Sequence, residues 1–379
     1  MKILAIESSC DETACAIVED GIKIISNVVA SSKKLHHKYG GIMPELAARE
    51  QLSSILPVIQ EALKILPQEK NVIKTISKHI DAIAITIGPG LIGSLLVGVE
   101  TAKTMAMLTG VPIIPVNHVI AHMYANFIDS HQSSVTRLAG VSAKRVSHQK
   151  NTNYNLKAEN RKLIAFPAIS LVVSGGHTEL YLMKSPNKLT WLGGTLDDAA
   201  GECFDKTARL LGFGNEGGVA IAKAAKWHHP SKKPSIIKLP RPMLDEKNEY
   251  NFSFSGLKSA IVRLVTTLKE QTSDQSLTPD VIANLSYETQ DAITDVLVKK
   301  TLNAAAKHHA KSILLSGGVA ANMRLREKFL VFSPQFSVVV PPVSLCTDNA
   351  VYIASCAFFL GNPTPWQEIT AAPDLSVEL

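Results

Sequence analysis

Apolar residues come in short blocks at the start of the chain. Residues 3–6 and 14–18 are almost wholly apolar and flank the polar run Glu7-Ser8-Ser9-Cys10-Asp11-Glu12-Thr13. Such blocks predict buried strands joined by a tight turn, and a third strand is expected at 22–29. From Pro44 the period changes. Leu46, Leu52, Ile55, Leu56, Ile59, Leu63 and Leu66 recur at helical spacing. Pro44 suits the first helical position, and Pro57 is expected to kink the helix. Residues 80–87 read as a strand, 92–109 as a helix and 111–116 as a further strand. A strand apolar on both faces and followed by a helix belongs in a parallel or mixed α/β sheet.

The second half repeats this order. A strand at 168–173, the turn Ser174-Gly175-Gly176-His177-Thr178, a strand at 179–183 and a third near 189–192 precede a helix over 196–211. Thr195 and Asp198 stand at capping-box spacing before that helix. A strand at 312–315 then runs through Ser316-Gly317-Gly318 into a helix over 319–330, as strand 80–87 runs through Gly88-Pro89-Gly90. The duplicated order predicts two similar α/β domains facing each other across a cleft lined by glycine turns. The first domain is expected over 1–128 with about 341–379, an insertion or linker over 129–165, and the second domain over 166–340.

Composition narrows the class. With 379 residues, 46% hydrophobic and 19% charged, the chain can bury two cores. Its five cysteines are scattered without a C-x-x-C pair, which argues against a disulfide scaffold and for a reducing compartment. Residues 82–99 carry no charge, but Gly88-Pro89-Gly90 interrupts them, and a span needs about 20 continuous apolar residues. The start turns acidic at Glu7, too early for a secretory leader, so a cytoplasmic protein with no membrane segment is expected. The net charge is +6, and residues 129–162 hold seven basic side chains against two acidic ones. The excess therefore sits in one Ser/Asn-rich, non-periodic stretch.

Candidate chemistry follows from spacing. Glycine turns at 88–94, 174–178 and 316–318 can present backbone N–H groups to a phosphate, which favours a nucleotide-like ligand. Gly88 to Gly93 fits G-x-G-x-x-G, but the following strand ends Val116-Asn117-His118 without the acid a dinucleotide fold needs. No P-loop and no G-x-S-x-G elbow occurs. His118 and His122, four apart, can share a helix face and one metal ion. Val119 stands where a zinc protease needs Glu, and the same pair also reads as ordinary surface or core histidines. Asp348, expected at the head of a late helix, is a candidate third ligand. Asp198, Glu202 and Asp205 share a helical face that reads either as solvated, with a Glu202–Lys206 pair, or as facing another domain across the small residues Ala199, Ala200, Gly201 and Cys203. Asp11 and Glu12 gain interest from a turn that follows a strand at the expected cleft.

Nine stretches then coincide in order: IESSCDET (6–13), YGGIMPELAAR (39–49), GPGLIGSLLVG (88–98), VNHVIAH (116–122), VVSGGHTEL (172–180), DDAAGECFDKTARLLG (197–212), FSFSGLKS (252–259), SGGVAAN (316–322) and CTDNA (346–350). Together they resemble the TsaD family of tRNA adenosine threonylcarbamoyltransferases, once described as O-sialoglycoprotein endopeptidases. The resemblance implies a duplicated actin-like (ASKHA, ribonuclease H-like) two-domain α/β fold. It implies transfer of a threonylcarbamoyl group from L-threonylcarbamoyl-adenylate to N6 of adenosine 37 in ANN-decoding tRNAs, with release of AMP. One divalent metal, iron(II) or alternatively zinc(II), would sit on His118, His122 and Asp348. Ligand contacts would fall on Val172, Val173, Ser174, Gly175, Gly176, Asp205, Gly218 and Asn322, with ATP or ADP as further occupants of the cleft. Asp11 and Glu12 match the family's acidic turn, with Asp11 as the candidate to take the amine proton. TsaB-like and TsaE-like proteins would be partners, with the donor made by a TsaC-like synthase.

The chain departs from the family pattern at four places. Val219 replaces a Pro after Gly217-Gly218, Gln51 replaces a His, the basic C-terminal ending is absent, and 129–165 is longer than usual. Two other readings compete. An actin-like small-molecule kinase or ATPase would use acids and Mg²⁺ without paired histidines, and a nucleotide-regulated binding subunit would lack turnover. The basic stretch yields a first prediction. Changing Lys144, Arg145, Lys150 and Lys157 to Gln is expected to weaken tRNA binding and flatten its salt dependence by roughly 0.7 in slope for each phosphate no longer neutralised. Filter binding across a salt series, with partner proteins present, measures this; an unaltered slope makes the stretch a spacer.

Overall fold

Two sheets with the same strand order organise the chain. The computed structural model describes residues 1–36, 39, 41–129, 136–138, 164–214, 217–228, 237–244, 249–272 and 276–378. It divides into one compact unit of Met1–Leu163 with Pro341–Leu379 and a second of Ile164–Val340. Most of the basic stretch 129–165 lies outside the described residues.

In the first unit β1 (Lys2–Glu7), β2 (Glu12–Glu19) and β3 (Lys23–Ser31) form an antiparallel meander. A short α1 (Lys33–His36) precedes α2 (Pro44–Leu63) and α3 (Val72–His79). β4 (Ala82–Gly88) joins β1 in parallel, α4 (Ile92–Thr109) returns the chain, and β5 (Ile113–Asn117) joins β4 in parallel. One turn of helix, α5 (His118–Ala121), and the edge strand β6 (Thr136–Leu138) complete this portion. α2 and α4 cover one face of the sheet through a core that includes Leu4, Ile6, Ile55, Ile59, Ile83, Ile85 and Val99.

The second unit repeats the plan. β7 (Ala168–Val173), β8 (Thr178–Ser185) and β9 (Lys188–Gly194) form the meander. α6 (Ala200–Leu210), α7 (Gly217–Ala225), α8 (Ser255–Glu270) and α9 (Pro279–Lys307) follow. β10 (Ser312–Ser316) joins β7 in parallel, α10 (Met323–Phe332) intervenes, and β11 (Ser337–Val339) joins β10. Sheet orders β5-β4-β1-β2-β3-β6 and β11-β10-β7-β8-β9 differ only by the extra edge strand. The chain then returns to the first unit as α11 (Val351–Phe359), which packs on β1, β2, β4 and β5. Among the described residues no helix is long and apolar enough to cross a membrane.

Several expectations need correction. On α2, Leu52 and Leu56 are 66% and 60% exposed, while Gln51 and Ser54 occupy the buried face. The helix predicted over 196–211 begins only at Ala200, because Thr195 closes a turn by donating its hydroxyl to the Asp198 carbonyl at 2.8 Å. The helix predicted from 319 is a 3₁₀ turn, Gly318–Ala321, before α10. The glycine turns also differ in use. A Cβ on Gly88 would lie 1.8 Å from the Ala372 carbonyl oxygen, and one on Gly90 would lie 2.5 Å from that of Ser9. That turn packs closely on its own chain there, and its Gly90 and Leu91 N–H groups already donate to the Pro373 and Ser9 carbonyls. Gly317, at φ +86, lets the backbone pass over the Val173 carbonyl, where a Cβ would meet oxygen at 2.4 Å. Gly175 and Gly176 face open space.

A partly buried ion network locks α9 to α10 and to the segment holding Arg241. Asp291 accepts from Arg241 at 3.3 Å, Arg324 at 2.9 Å and Lys328 at 2.7 Å, and Lys328 is 4% exposed. Burial alone would raise the Asp291 carboxyl, but Lys328 and Arg324 outweigh it and hold it below its ordinary value. A carboxyl lowered on folding adds stability above its unfolded range and loses it as the pH falls through the folded value. Asp291→Ala is therefore expected to cost about 3 kcal/mol at neutral pH. Urea unfolding followed by tryptophan fluorescence checks this, and the gap from wild type should narrow in acid.

Candidate metal centre

β5 delivers the first two ligand candidates. Asn117 caps the helical turn that follows, its Oδ1 accepting from the N–H groups of Val119 and Ile120 at 3.0 and 3.2 Å. α5 passes directly into a 3₁₀ turn, His122–Phe127, so His118 and His122 stay on one face with ring centroids 4.8 Å apart. Both histidines are buried. Asp348 arrives with the chain's last segment. It lies in the turn before α11 rather than at its head, and Asn349 Oδ1 accepts from the Val351 N–H at 3.0 Å. Asp348 Oδ1 is 3.5 Å from His122 Nε2 and 3.7 Å from His118 Nε2. The three ligand atoms lie within 4.8 Å of one another. Tyr352, one turn along α11, donates its hydroxyl to Asp348 Oδ1 at 3.3 Å and sets its ring 4.5 Å from that of His122.

The surroundings are electronegative. Burial raises the Asp348 carboxyl, His118 opposes this, and Glu7 and Asp11 add to it. Burial and then Asp11 drive the Glu12 carboxyl well up. Burial would depress the His118 imidazole, but Glu7 and Asp348 carry it to about 9. Two imidazoles and a carboxylate amid this charge form a donor set suited to a divalent first-row metal such as iron or zinc. The residues present therefore fit the implied ion.

Asp11 and Glu12 stand on the β1–β2 turn, which is held by its backbone. Gln51 Nε2 donates to the carbonyls of Cys10 at 2.9 Å, Glu12 at 3.1 Å and Ser8 at 3.4 Å. Ser94 Oγ donates to the Cys10 carbonyl at 3.0 Å, and the Leu91 N–H donates to the Ser9 carbonyl at 2.8 Å. Gln51 thus braces the acidic turn.

The predicted ligand-contact residues gather in the second unit. Val172 and Val173 end β7, and the Ser174 N–H donates to the His177 carbonyl at 2.8 Å, closing the turn. The Ser174 carbonyl accepts from the Gly201 N–H at 3.2 Å, which sets the turn against the start of α6. Asp205 lies on α6 and is exposed; a Cβ on Gly217, at φ +49, would meet its Oδ1 at 1.9 Å. Gly218 and Val219 are in the first turn of α7. Asn322 serves first as a cap: its Oδ1 accepts from the Leu325 N–H at 3.2 Å, and its Nδ2 donates to Gln290 Oε1 at 3.0 Å. Asp198 precedes α6 and pairs with Lys206 and Lys258 at 2.8 and 2.7 Å, while Glu202 pairs with Lys206 at 2.7 Å. The solvated reading of that acidic row, with its Glu202–Lys206 pair, holds for Glu202; Asp198 stands outside the helix with its side chain mostly buried.

The TsaD family profile, described as tRNA N6-adenosine threonylcarbamoyltransferase, matches residues 23–145 and 135–355. The chain is 43% identical over 359 residues to the protein of that name from Dehalococcoides mccartyi, covering 95% of this chain and 93% of the relative. The chain belongs to the TsaD family. The Thermomicrobium roseum member is 43% identical over 95% of this chain and 92% of its own, and the Listeria innocua member 40% identical over 99% and 96%. Among solved structures, T. kodakarensis HypF matches 94% of this chain and 47% of its own with TM-score 0.54 at 13% identity, a likeness of fold. The fold is the duplicated actin-like α/β architecture of two mixed sheets with helices.

Sequence spacing alone did not single out Glu7, Thr86, Tyr352 or Gln290 among the residues around these TsaD sites. The one available signal was Glu7, an acid closing an otherwise apolar strand. The ligand set makes a direct prediction. His118→Ala with His122→Ala is expected to reduce bound metal from about one equivalent to none. Elemental analysis of protein purified without chelator reads this, and unchanged content would exclude these ligands.

Proposed function

We propose that this chain transfers the threonylcarbamoyl group of L-threonylcarbamoyl-adenylate to N6 of adenosine 37 in ANN-decoding tRNAs, releasing AMP in the cytoplasm. The observation that carries the reading is the His118, His122 and Asp348 constellation in a chain that matches named tRNA N6-adenosine threonylcarbamoyltransferases over almost its whole length. Paired histidines also argue against the kinase reading, which needs acids and Mg²⁺ only.

The acceptor is an aryl amine, a weak nucleophile, so the carbonyl it attacks needs activation. His118, His122 and Asp348 would hold a divalent ion, which when bound would supply Lewis-acid polarisation of that carbonyl. Asp11 takes the proton the amine loses, beside Glu12, whose carboxyl is driven up by burial and by Asp11. The Ser174-Gly175-Gly176 turn offers its N–H groups to the donor's phosphate, with Val172 and Val173 beneath it. Asp205, Gly218 and Asn322 hold the nucleoside, and ATP or ADP compete for the same residues. TsaB-like and TsaE-like partners complete the reaction, and a TsaC-like synthase supplies the donor. α2 and α4 pack together and leave Leu52, Leu56, Ile92 and Leu96 exposed, which suits a helical partner.

The test supplies adenylate donor and unmodified tRNA, with and without those partners. Threonylcarbamoyladenosine at position 37 and equimolar AMP are expected; donor consumption without modified tRNA would overturn the reading. A Cβ on Gly175 meets nothing within 4 Å, so Gly175→Val is expected to leave the fold intact. It is expected to weaken adenylate-analogue binding in calorimetry by roughly tenfold or more. Wild-type affinity would move the donor site elsewhere.

A further inference from the structure

The reaction as described leaves unused a buried acid that stands beside a metal-ligand candidate. Glu7 is the last residue of β1 and is 1% exposed. β1, β4 and β5 are neighbours in the sheet, so Glu7, Thr86 near the end of β4 and His118 just after β5 meet at one edge. Glu7 Oε1 accepts from the Ser9 N–H at 2.6 Å. Glu7 Oε2 accepts from Thr86 Oγ1 at 2.5 Å and faces His118 Nδ1 at 3.0 Å. Ser9 Oγ is also 3.3 Å from that ring nitrogen.

We infer that Glu7 is a positioning residue that fixes the tautomer of His118, keeping the proton on Nδ1 and presenting the Nε2 lone pair to the metal. The inference rests on the metal reading of His118, His122 and Asp348. A carboxylate ringed by donors carries its charge, and an ionised carboxylate can only accept. The nitrogen facing it must then bear a hydrogen. A metal-bound imidazole is neutral, with one N–H and one lone pair, so the lone pair falls to Nε2. That atom is the one turned toward Asp348, with His122 Nε2 on the same carboxylate oxygen. A carboxylate behind a metal-bound imidazole also makes it a stronger ligand, and losing such a partner typically costs 10–100-fold in metal affinity.

Glu7→Gln separates this role from packing. The amide has the same shape and can still accept from the Ser9 N–H. Its NH₂ would donate to Thr86 and to His118 Nδ1, pushing the imidazole proton onto the ligand atom. Co²⁺ titration followed by ligand-field absorption is expected to show affinity about 10–100-fold weaker in Glu7→Gln. The metal-free unfolding midpoint should stay close to wild type. Glu7→Asp keeps the charge and is expected to regain part of the loss. Equal affinity and spectrum in wild type and Glu7→Gln would overturn the assignment, as would equal losses in Gln and Asp, which would place the effect in shape. The unaltered protein gives an independent reading should the variants not fold. Nitrogen-15 NMR of its Zn²⁺-loaded form is expected to show His118 protonated at Nδ1 and bound through Nε2, and the reverse pattern would overturn the inference. Absence of Co²⁺ binding by wild type would instead remove the metal reading itself.

Discussion

The chain's last segment has to come back to the first sheet, and the metal centre depends on that return. α11 packs across β1, β2, β4 and β5, and its burial fixes the preceding turn where Asp348 sits. Without it, His118 and His122 would be two histidines on a short helical turn beside Glu7. With it, they face a second carboxylate whose other restraint is Tyr352, itself buried in α11. The apolar face of α11 thus supplies the packing energy that holds a charged ligand in a buried, electronegative place. Charges of one sign converge there only because the surrounding core holds them against their repulsion.

The same return closes the glycine turn after β4. The Gly90 N–H donates to the Pro373 carbonyl at 3.1 Å, and the Ala372 N–H donates to that of Ile87 at 2.7 Å. Ser9 packs against the other side of that turn, so it braces the acidic loop rather than a ligand. In the second unit the corresponding turn after β10 also packs on its own sheet, through Gly317 over Val173. The 174–178 turn between β7 and β8 leaves Gly175 and Gly176 open. Similar glycine signals therefore serve close backbone approach in two turns and leave exposed backbone in the third.

Much of the fold was legible because periodicity reports burial directly. Apolar runs at 3–6, 14–18 and 168–173 became strands covered on both faces, and the repeated order of elements became two sheets of matching topology. Helix boundaries were less legible. Thr195 and Asp198 offered capping spacing, but a side chain-to-backbone bond used them in a turn first. On α2 the periodic Leu52 and Leu56 turned outward, while Gln51 turned inward because three backbone carbonyls of the acidic turn needed donors. Hydropathy cannot see such a demand.

The site divides along the same line. Residue type and spacing singled out His118 and His122, because a four-residue step puts two imidazoles on one face whatever the fold. Motif order pointed to Asp348 and to the Ser174-Gly175-Gly176 turn. Sequence alone did not reveal Glu7 behind His118, Thr86 behind Glu7, Tyr352 behind Asp348 or Gln290 behind Asn322. Those pairs join residues on different strands and helices, or on one turn whose direction the packing sets. Local sequence determined which chemistry the chain carries; strand order and core packing decided which polar groups meet, because a buried polar atom takes its partner from whatever the tertiary fold brings within about 3 Å.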